Sequence, residues 1–394
     1  MSGKPKIKKT SSVRKALLPA VVNIEKTVPI KHQMTPVTDV LLGVRFKTGH
    51  ICMSYPDGHM AKRMIEQGMR ERGIDVEGQE IRPADEKRKI ILHQKQSPGD
   101  ILTFTRGVVD LKLSYPKYKI DVRSPASAIW ENCPYLTPLK DDDPEVEHFE
   151  ATYGVDRLGT GIHQSGWRGF HFTDAFREDL EANLCVKIRK TSVLPEIWLS
   201  DEEKGWINQV EVEFGWTGPF WILNAGSKPD NELKQYHRWQ EVVDNLNEYF
   251  KDRVKIVQIG HKAHNHPELK GVLSLVGKTD LRQLIRLAWW AHGSIGPLSF
   301  QFVLSAALRQ SHVVVAAGKE GVRWHLYPHG RYLYTNGAID CCRWDGCWLG
   351  GDLGECKKPV DGVPLCFRMI KPHMISDSVI MYYEGGMLGW GRGK

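Results

Sequence analysis

Short apolar runs alternate along this chain with longer segments in which apolar residues recur at helical spacing. The first run, residues 89–93, is followed by the turn Ser97-Pro98-Gly99-Asp100 and by helical spacing over 101–113. A second apolar run occupies residues 119–122. The order strand, glycine turn, helix, strand predicts a βαβ unit of a parallel sheet.

The same pattern begins again at residue 219. The second unit has six further predicted elements after its first strand at 219–224: a helix at 239–250, a strand at 254–259, a short strand at 272–275, helices at 281–291 and 300–308, and a strand at 312–316. Thr279-Asp280 stands where a side chain can cap the helix at 281. Two such units predict an α/β protein with a ligand cleft at the carboxyl ends of its strands.

Length and charge set the domain organisation. The 394 residues suffice for two domains, and 41% hydrophobic with 26% charged residues is ordinary for a soluble globular protein. The net charge of +7 is matched by residues 1–31 alone, which hold eight basic residues and one acid. This basic tail is either a disordered, solubilising leader or a segment that contacts nucleic acid or an anionic membrane surface.

We expect a cytoplasmic protein without a transmembrane segment, because no apolar run reaches the roughly 18 residues that span a bilayer and no secretory signal is evident. The predicted divisions are a flexible tail, a small α/β appendage, two successive Rossmann-like halves, and a C-terminal helix and tail. Their bounds are 1–35, 36–86, 87–210, 211–375 and 376–394.

Five of the eight cysteines lie within 26 residues, at Cys341, Cys342, Cys347, Cys356 and Cys366. In a cytosolic chain such density favours a metal over disulfides. A tetrahedral set of about four thiolates, Cys342 (or Cys341), Cys347, Cys356 and Cys366, would hold structural zinc or iron. The spacing is not that of paired Cys-x2-Cys motifs, so buried free thiols and disulfides remain alternatives.

Four motifs resemble those of the heptosyltransferase-like glycosyltransferases, glycosyltransferase family 9, from about residue 88 to the C-terminus. They are Ser97-Pro98-Gly99-Asp100, Asn224-Ala225-Gly226-Ser227-Lys228 with Lys234 and His237-Arg238-Trp239, Gly277-Lys278-Thr279-Asp280-Leu281, and Ser294-Ile295-Gly296-Pro297-Leu298-Ser299. The resemblance implies a GT-B fold, two Rossmann-like domains facing a cleft, with the terminal helix at about 375–383 packed on the first half. It implies that the half at 87–210 lies on the acceptor side and that the half at 211–375, which includes the cysteines at 341–366, binds the nucleotide sugar. The Cys-Cys-x4-Cys-Trp run resembles a sub-branch that is reminiscent of the iron-binding cysteine finger of autotransporter heptosyltransferases.

The resemblance implies that Asp100 is the base that takes the proton of the acceptor hydroxyl, with Gly99 giving close backbone approach. From the residues alone, an Asp that caps the helix at 101 is the alternative. The expected donor-binding residues are Gly226, Ser227, Lys228, Lys234, Ser294, Gly296, Pro297 and Ser299. Their cations and N–H groups would meet the charge of a diphosphate. In this prediction Gly296-Pro297 forms a turn that presents the free N–H groups of the helix at 300.

One alternative and one departure from the family motif bear on the donor site. Lys228 and Lys234 would pair with Asp230 and Glu232 if their loop were simply solvated. The family motif has Asp where this chain has Ser294 and His where it has Ser299. This departure puts a heptose donor in doubt more than the fold.

A polar and aromatic segment at 163–172 supplies the expected acceptor-side residues His163, Gln164 and His171, with inter-domain packing as the alternative. Glu320 and Trp324 are expected near the base or sugar of the donor. The predicted reaction moves a heptose or hexose from a nucleoside-diphosphate sugar, with ADP-sugar favoured, to a hydroxyl of a glycan, protein or nucleic acid. We expect the transfer to invert the configuration of the anomeric carbon and to need no catalytic divalent cation.

Two other functions stay open. The basic tail favours a glycosyltransferase whose acceptor is nucleic acid or a modified base. The changes at Ser294 and Ser299 favour a non-catalytic binding protein on a GT-B fold.

Overall fold

The structure, a computed structural model, describes residues 82–153, 170–229, 232–342, 346–347 and 355–385. The described residues belong to one compact unit. The predicted tail and nearly all of the predicted appendage lie outside the described residues. The predicted domain boundaries therefore stay predictions.

The first half is a parallel three-stranded sheet in the order β2-β1-β3. Its elements are β1 (Lys89–His93), α1 (Pro98–Ser114), β2 (Lys119–Arg123), β3 (Val146–Glu150) and α2 (Phe172–Leu184). The middle of β1 is an unbroken apolar run that is fully buried, as expected for a central parallel strand. The predicted βαβ unit is confirmed, whereas β3 and α2 were not predicted.

The second half is a six-stranded parallel sheet in the order β6-β5-β4-β7-β8-β9, reached through the short helices α3 (Asp201–Gly205) and α4 (Gln209–Phe214). Its strands are β4 (Phe220–Asn224), β5 (Lys255–Ile259), β6 (Leu273–Ser274), β7 (Gly293–Pro297), β8 (Ser311–Ala317) and β9 (Gly330–Tyr334). Its helices are α5 (Trp239–Phe250), α6 (Leu281–Trp290) and α7 (Phe300–Ala307). Strand order reverses between β4 and β7, which makes the gap between them a topological switch point.

The two halves share a hydrophobic core. Helix α1 packs against α2 on its own side and against α7 of the second half. Phe104 and Val108 of α1 belong to the same buried cluster as Val303 and Leu304 of α7. The carboxyl ends of the two sheets are therefore joined through α1 and α7.

Capping at α6 follows the sequence prediction. The Asp280 carboxylate accepts a hydrogen bond from the Gln283 N–H at 2.7 Å, and the Gln283 side chain accepts from the Asp280 N–H in return. This capping box satisfies two backbone donors that the helix start would otherwise leave without partners.

Two predicted turns are regular structure. Helix α1 begins at Pro98, so Gly99 and Asp100 lie in its first turn and not in a loop. Proline suits that position because the first helical N–H has no partner within the helix. Residues Gly293–Pro297 form the buried strand β7 and not a turn. A Cβ at Gly293 would lie 2.6 Å from the Trp221 ring, so glycine lets β7 pair beside β4.

The chain ends with a small ribbon, β10 (Pro359–Val360) and β11 (Val363–Pro364), followed by α8 (Leu365–Met369) and α9 (Pro372–Tyr383). Helix α9 packs on α5, β8 and β9, so the prediction that it returns to the first half is wrong. The reason is its apolar face, since Ile375 and Val379 are fully buried in a cluster with Val243 and Val313 of the second half. Among the described residues, none of the helices has the length and apolar character needed to cross a bilayer.

Candidate active site

Two helix N-termini meet where the halves join. Helix α1 starts just after β1, and α7 starts just after β7. A Cβ at Gly99 would lie 3.6 Å from the Cα and N of Phe300, so the first turns of the two helices are in van der Waals range. Helix N-termini present N–H groups without helical partners and a positive dipole end. The meeting point is therefore suited to an anion.

Asp100 stands in the first turn of α1 at this point and is partly exposed. Burial raises the pKa of its carboxyl to about 6, with a second contribution from the negative charge of Glu320. Lys234, the Ser97 N–H and Lys228 act in the opposite direction and limit the rise. An Asp with this pKa is mostly ionised at neutral pH and can accept a proton.

Two lysines approach Asp100 from the loop that follows β4. The Lys228 ammonium donates to the Ser97 hydroxyl at 3.1 Å, which ties this loop to the N-terminus of α1. Lys234 ends a 3-10 turn at Glu232–Lys234 and forms an ion pair with Glu320. Its ionic partner among the described residues is therefore Glu320. Asp230, one of the two acids considered from the sequence, lies outside the described residues.

Glu320 belongs to the loop after β8 and is 8% exposed. One carboxylate oxygen pairs with Lys234, and the other lies 2.7 Å from Nε2 of His325, which ends the 3-10 turn Val322–His325. Burial acts to raise the pKa of Glu320, but Lys234 and His325 outweigh it and hold that pKa well below its usual range. A buried, ionised carboxylate thus bridges an ammonium and an imidazole.

The backbone before Glu320 has a non-glycine residue in the left-handed region, Ala317 with φ of 49°. Such residues are uncommon and concentrate at functional sites. Trp324, which the sequence placed near the donor, is fully buried, with its ring 6.1 Å from that of Phe172. Glu320 is therefore part of a charged cluster with Asp100, Lys234 and His325, whereas Trp324 packs against Phe172 of α2.

The donor loop is fixed at the switch point between β4 and β7. The Asn224 amide donates to the Ser299 hydroxyl at 3.1 Å and accepts from the Gly226 N–H at 3.3 Å. Ser227 and Asn265 exchange two backbone hydrogen bonds of 3.1 and 2.9 Å. Ligands of open α/β sheets bind at such a switch point.

His266 is a residue of this site that the sequence analysis missed. A Cβ at Gly226 would lie 2.2 Å from its Nδ1, and a Cβ at Gly260 would lie 1.9 Å from its Cε1. The imidazole therefore fills a notch between two glycines, at the carboxyl ends of β4 and β5. The run His261-Lys262-Ala263-His264-Asn265-His266 was the only signal in the sequence that pointed to it.

The motif at 294–299 reaches the site in part. Ser294 is buried within β7, and its hydroxyl lies 2.7 Å from the Ser305 hydroxyl of α7, inside the fold. Gly296 lies against Asn224, since a Cβ there would be 3.0 Å from the Asn224 carbonyl oxygen. Pro297 ends β7, and Ser299 stands just before α7 with its hydroxyl bonded to Asn224. Gly296, Pro297 and Ser299 are thus at the switch point, and Ser294 is not.

Of the expected acceptor-side residues, His163 and Gln164 lie outside the described residues. His171 caps α2, and its Nδ1 accepts the Thr173 N–H at 3.2 Å, which assigns the proton of the neutral ring to Nε2. Burial, with the nearby His325, lowers the pKa of His171 to about 3. Its ring centroid is 4.7 Å from that of Tyr327, whose hydroxyl lies 3.3 Å from the Thr103 hydroxyl of α1. His171 thus borders the cluster through Tyr327.

The clustered cysteines meet around one small cavity. Cys341, Cys342, Cys347, Cys356 and Cys366 line a space of about 20 Å³, which is close to the room that one water molecule or ion needs. These thiols are free in the structure. A hydrogen bond from Cys342 lowers the pKa of Cys366 to about 7 and raises that of Cys342.

The donor set at this cavity is chemically suited to zinc or iron, which thiolates bind. As the side chains are placed, however, no three His, Cys, Asp or Glu residues among the described parts of the chain are arranged to hold a metal ion. The cavity is coupled to the loop after β8. A Cβ at Gly318 would lie 2.2 Å from the Cys342 sulfur, and the Cys347 N–H donates to the Gly318 carbonyl at 3.1 Å.

Comparison with known proteins gives a fold and little sequence similarity. No family model matches the sequence, and no curated protein matches it. A glycosyltransferase of family 9 from Veillonella parvula DSM 2008 is 13% identical, with a TM-score of 0.53 over 76% of this chain and 98% of that one. The iron-containing dodecameric glycosyltransferase TibC from enterotoxigenic E. coli H10407 is 15% identical, with a TM-score of 0.56 over 76% and 77%.

TibC was also solved as a heptosyltransferase in complex with ADP-D-beta-D-heptose. That structure is 14% identical, with a TM-score of 0.55 over 76% of this chain and 78% of that one. At these identities the similarity establishes the fold. The predicted α/β, GT-B architecture of the heptosyltransferase-like family 9 proteins is confirmed.

Proposed function

We propose that this protein is a glycosyltransferase that moves a sugar from a nucleoside-diphosphate sugar to an acceptor hydroxyl. The observation that carries this proposal is the placement of Asp100. Its carboxylate lies where two helix N-termini and two lysines converge, at the switch point of a GT-B fold. A base beside a built anion site is what transfer from a nucleoside diphosphate requires.

In the proposed reaction, Asp100 accepts the proton of the acceptor hydroxyl as that oxygen bonds to the anomeric carbon of the donor. The bond from the anomeric carbon to the diphosphate oxygen breaks, and the diphosphate leaves with the electron pair. Attack opposite to the leaving group gives inversion. Asp100 then holds the proton.

The leaving diphosphate gains negative charge that the donor side of the site would meet. Lys228 and Lys234 supply cations, and the backbone at Gly226 and Ser227 supplies N–H groups. The N-terminus of α7, beside Gly296 and Ser299, supplies a dipole. These groups are held by the fold before the ligand arrives, which is the condition for strong electrostatic stabilisation.

For the donor we propose an ADP-sugar, with heptose or hexose as the sugar. The complex of TibC with ADP-D-beta-D-heptose supports this choice by similarity of fold. A glycan or protein acceptor fits the same chemistry, and a nucleic acid acceptor rests on the basic tail at 1–35. A cytoplasmic location remains a prediction from the sequence.

At the cysteine cavity we propose structural zinc or iron held by Cys342, Cys347, Cys356 and Cys366. The five thiols around one ion-sized space support this, as does the similarity of fold to the iron-containing TibC. The metal would fasten a segment with few core residues to the loop after β8.

One observation favours a non-catalytic binding protein instead. The Ser294 hydroxyl is bonded to Ser305 inside the fold, so the position of the family acid offers no group to a donor. This alternative predicts nucleotide binding without transfer.

The test is a thermal-shift screen with ADP, UDP, GDP, CDP and TDP, followed by a donor-hydrolysis and transfer assay with the sugars of the nucleotide that binds. A ligand that binds only the native state raises the melting temperature. We expect a shift with ADP that Lys234→Ala abolishes, and turnover that Asp100→Asn abolishes. No shift with any diphosphate would refute the donor site, and a shift with equal turnover by Asp100→Asn would refute the base.

A further inference from the structure

Glu320 is a carboxylate that the proposed chemistry does not use, although it stands beside both charged groups that the chemistry does use. It is 8% exposed, pairs with Lys234 through one oxygen, and accepts from His325 through the other. Burying a charge in this way is costly unless it is paired and hydrogen-bonded. The fold thus holds the Glu320 carboxylate, with a partner on each oxygen, next to a site for the negatively charged diphosphate. Repulsion between the two would weaken binding unless Glu320 has another role.

The pairing decides where the Lys234 ammonium goes. Two carboxylates, Asp100 and Glu320, lie close enough to this lysine for its charge to act on both. If Glu320 were absent, Asp100 would be left as the carboxylate facing Lys234 in this cluster. A direct Lys234–Asp100 pair would stabilise the ionised aspartate and weaken it as a base.

The anchor of Glu320 is built from both halves of the protein. His325 is 9% exposed, and its ring lies 4.6 Å from that of Phe172 in α2 and 5.6 Å from that of Phe302 in α7. Because the ionised carboxylate can only accept, Nε2 of His325 must carry the proton of this hydrogen bond. The imidazole is thus clamped between the halves and fixes the second carboxylate oxygen.

We propose that Glu320 is a positioning residue, anchored by His325, that holds Lys234 on the diphosphate side and away from Asp100, so that Asp100 stays available as the base. The role rests on the proposed function of Asp100 and goes beyond it. It also gives this chain an acid and an imidazole at the donor site, from the loop after β8, where Ser294 and Ser299 provide neither.

The charges that face Asp100 predict the direction in which each substitution shifts the pKa of its carboxyl. They are Lys228 and Lys234 from the loop after β4 and Glu320 from the loop after β8; the Tyr327 hydroxyl faces Asp100 from the chain after the 3-10 turn at 322–325. Removing the negative charge of Glu320 removes one cause of the raised pKa and frees Lys234 to approach. Removing the positive charge of Lys234 does the reverse.

The experiment is a carboxyl NMR titration of Asp100 in the full-length protein, compared among wild type, Glu320→Gln and Lys234→Met. We expect the pKa of Asp100 to fall below its wild-type value in Glu320→Gln and to rise above it in Lys234→Met. Glu213→Gln, which removes an exposed carboxylate paired with Lys278, is the matched control and should leave Asp100 unchanged. An unchanged Asp100 pKa in Glu320→Gln, or an equal change in Glu213→Gln, overturns the proposal.

The two variants are expected to shift the Asp100 pKa in opposite directions, and this distinguishes the expected result from unfolding. An unfolded chain would bring Asp100 to an ordinary value near 3.9 in both variants, so a fall in Glu320→Gln with a rise in Lys234→Met cannot come from unfolding. A fall in both variants refutes the positioning role. The titration needs neither donor nor acceptor, so its outcome is independent of whether transfer is detected.

Discussion

Replacing Asp100 by Asn should make the protein inactive and more stable at the same time. The amide keeps the shape of the carboxyl but cannot take a proton, and loss of a general base typically lowers turnover by about 10²–10⁴-fold. The stability gain follows from the environment of the carboxylate. Burial and the charge of Glu320 raise its pKa to about 6, so the fold opposes its ionisation.

The size and pH range of this gain follow from linkage. A rise from the ordinary 3.8 to about 6, at about 1.4 kcal/mol per unit, corresponds to at most about 3 kcal/mol. Partial exposure of the side chain reduces this to about 1–3 kcal/mol. The folded-state pKa of Asp100 is higher than the unfolded-state pKa. The stability linked to protonated Asp100 is therefore fully present below about pH 4 and is lost as pH rises through about 6. Asn at position 100 escapes that loss.

The assay is urea unfolding of wild type and Asp100→Asn at pH 4 and pH 7, with turnover measured in parallel. We expect equal stability at pH 4 and a more stable variant at pH 7. Asp110→Asn is the control in the same helix. Asp110 is 2% exposed and accepts from the Thr191 hydroxyl at 2.5 Å, so its replacement should destabilise the fold. A variant at position 100 with wild-type stability at pH 7, or with full turnover, would refute the reasoning.

Three other substitutions test separate parts of the structure. Lys234→Met should weaken ADP binding roughly 10- to 100-fold by calorimetry, as expected for loss of a charge-assisted contact, whereas Lys278→Met should not; equal affinities would remove Lys234 from the donor site. Cys366→Ser should lose the zinc or iron detected by elemental analysis, while Cys133→Ser keeps it; unchanged metal content would contradict the cysteine site. Gly226→Ala should cost about 1–3 kcal/mol in urea unfolding because the new methyl meets His266 at 2.2 Å, whereas Gly205→Ala, with open space around it, should not; equal stabilities would contradict the notch.

Apolar pattern was sufficient to predict most of the second sheet. Strands β4, β5 and β8 are short β-branched or apolar runs that end at polar residues or glycine, and the pattern needed no tertiary information. Strand β7 has a different composition, Gly-Ser-Ile-Gly-Pro, with too little apolar character to predict a strand. It is a strand because β4 and β8 pair with it on both sides, and such pairing is not visible in local sequence.

The sequence predicted those residues of the candidate site that belong to short continuous motifs. Asp100, Lys228 and Lys234 were named from their own segments, and the structure brings all three to the switch point. The ion pair between Lys234 and Glu320 was not predicted, because the two residues are separated by 86 positions and by the four strands β5 to β8 along the chain. The alternative of pairing within the loop rested on sequence proximity alone. Glu320 is a buried carboxylate that His325 also holds in place, and no local pattern shows this.

The three residues after β8, Gly318 to Glu320, connect the cysteine cluster to the active site, and this bears on why a structural metal would matter to the chemistry. A Cβ at Gly318, directly after β8, would lie 2.2 Å from the Cys342 sulfur, and the Lys319 backbone lies against Gly346. Glu320 follows at once, with its carboxylate in the active-site cluster. A metal that fixes the cysteines would therefore fix the backbone from which Glu320 reaches Lys234. Loss of that metal should then affect the placement of Lys234 before it affects the sheet, since β8 is paired along its length on both edges.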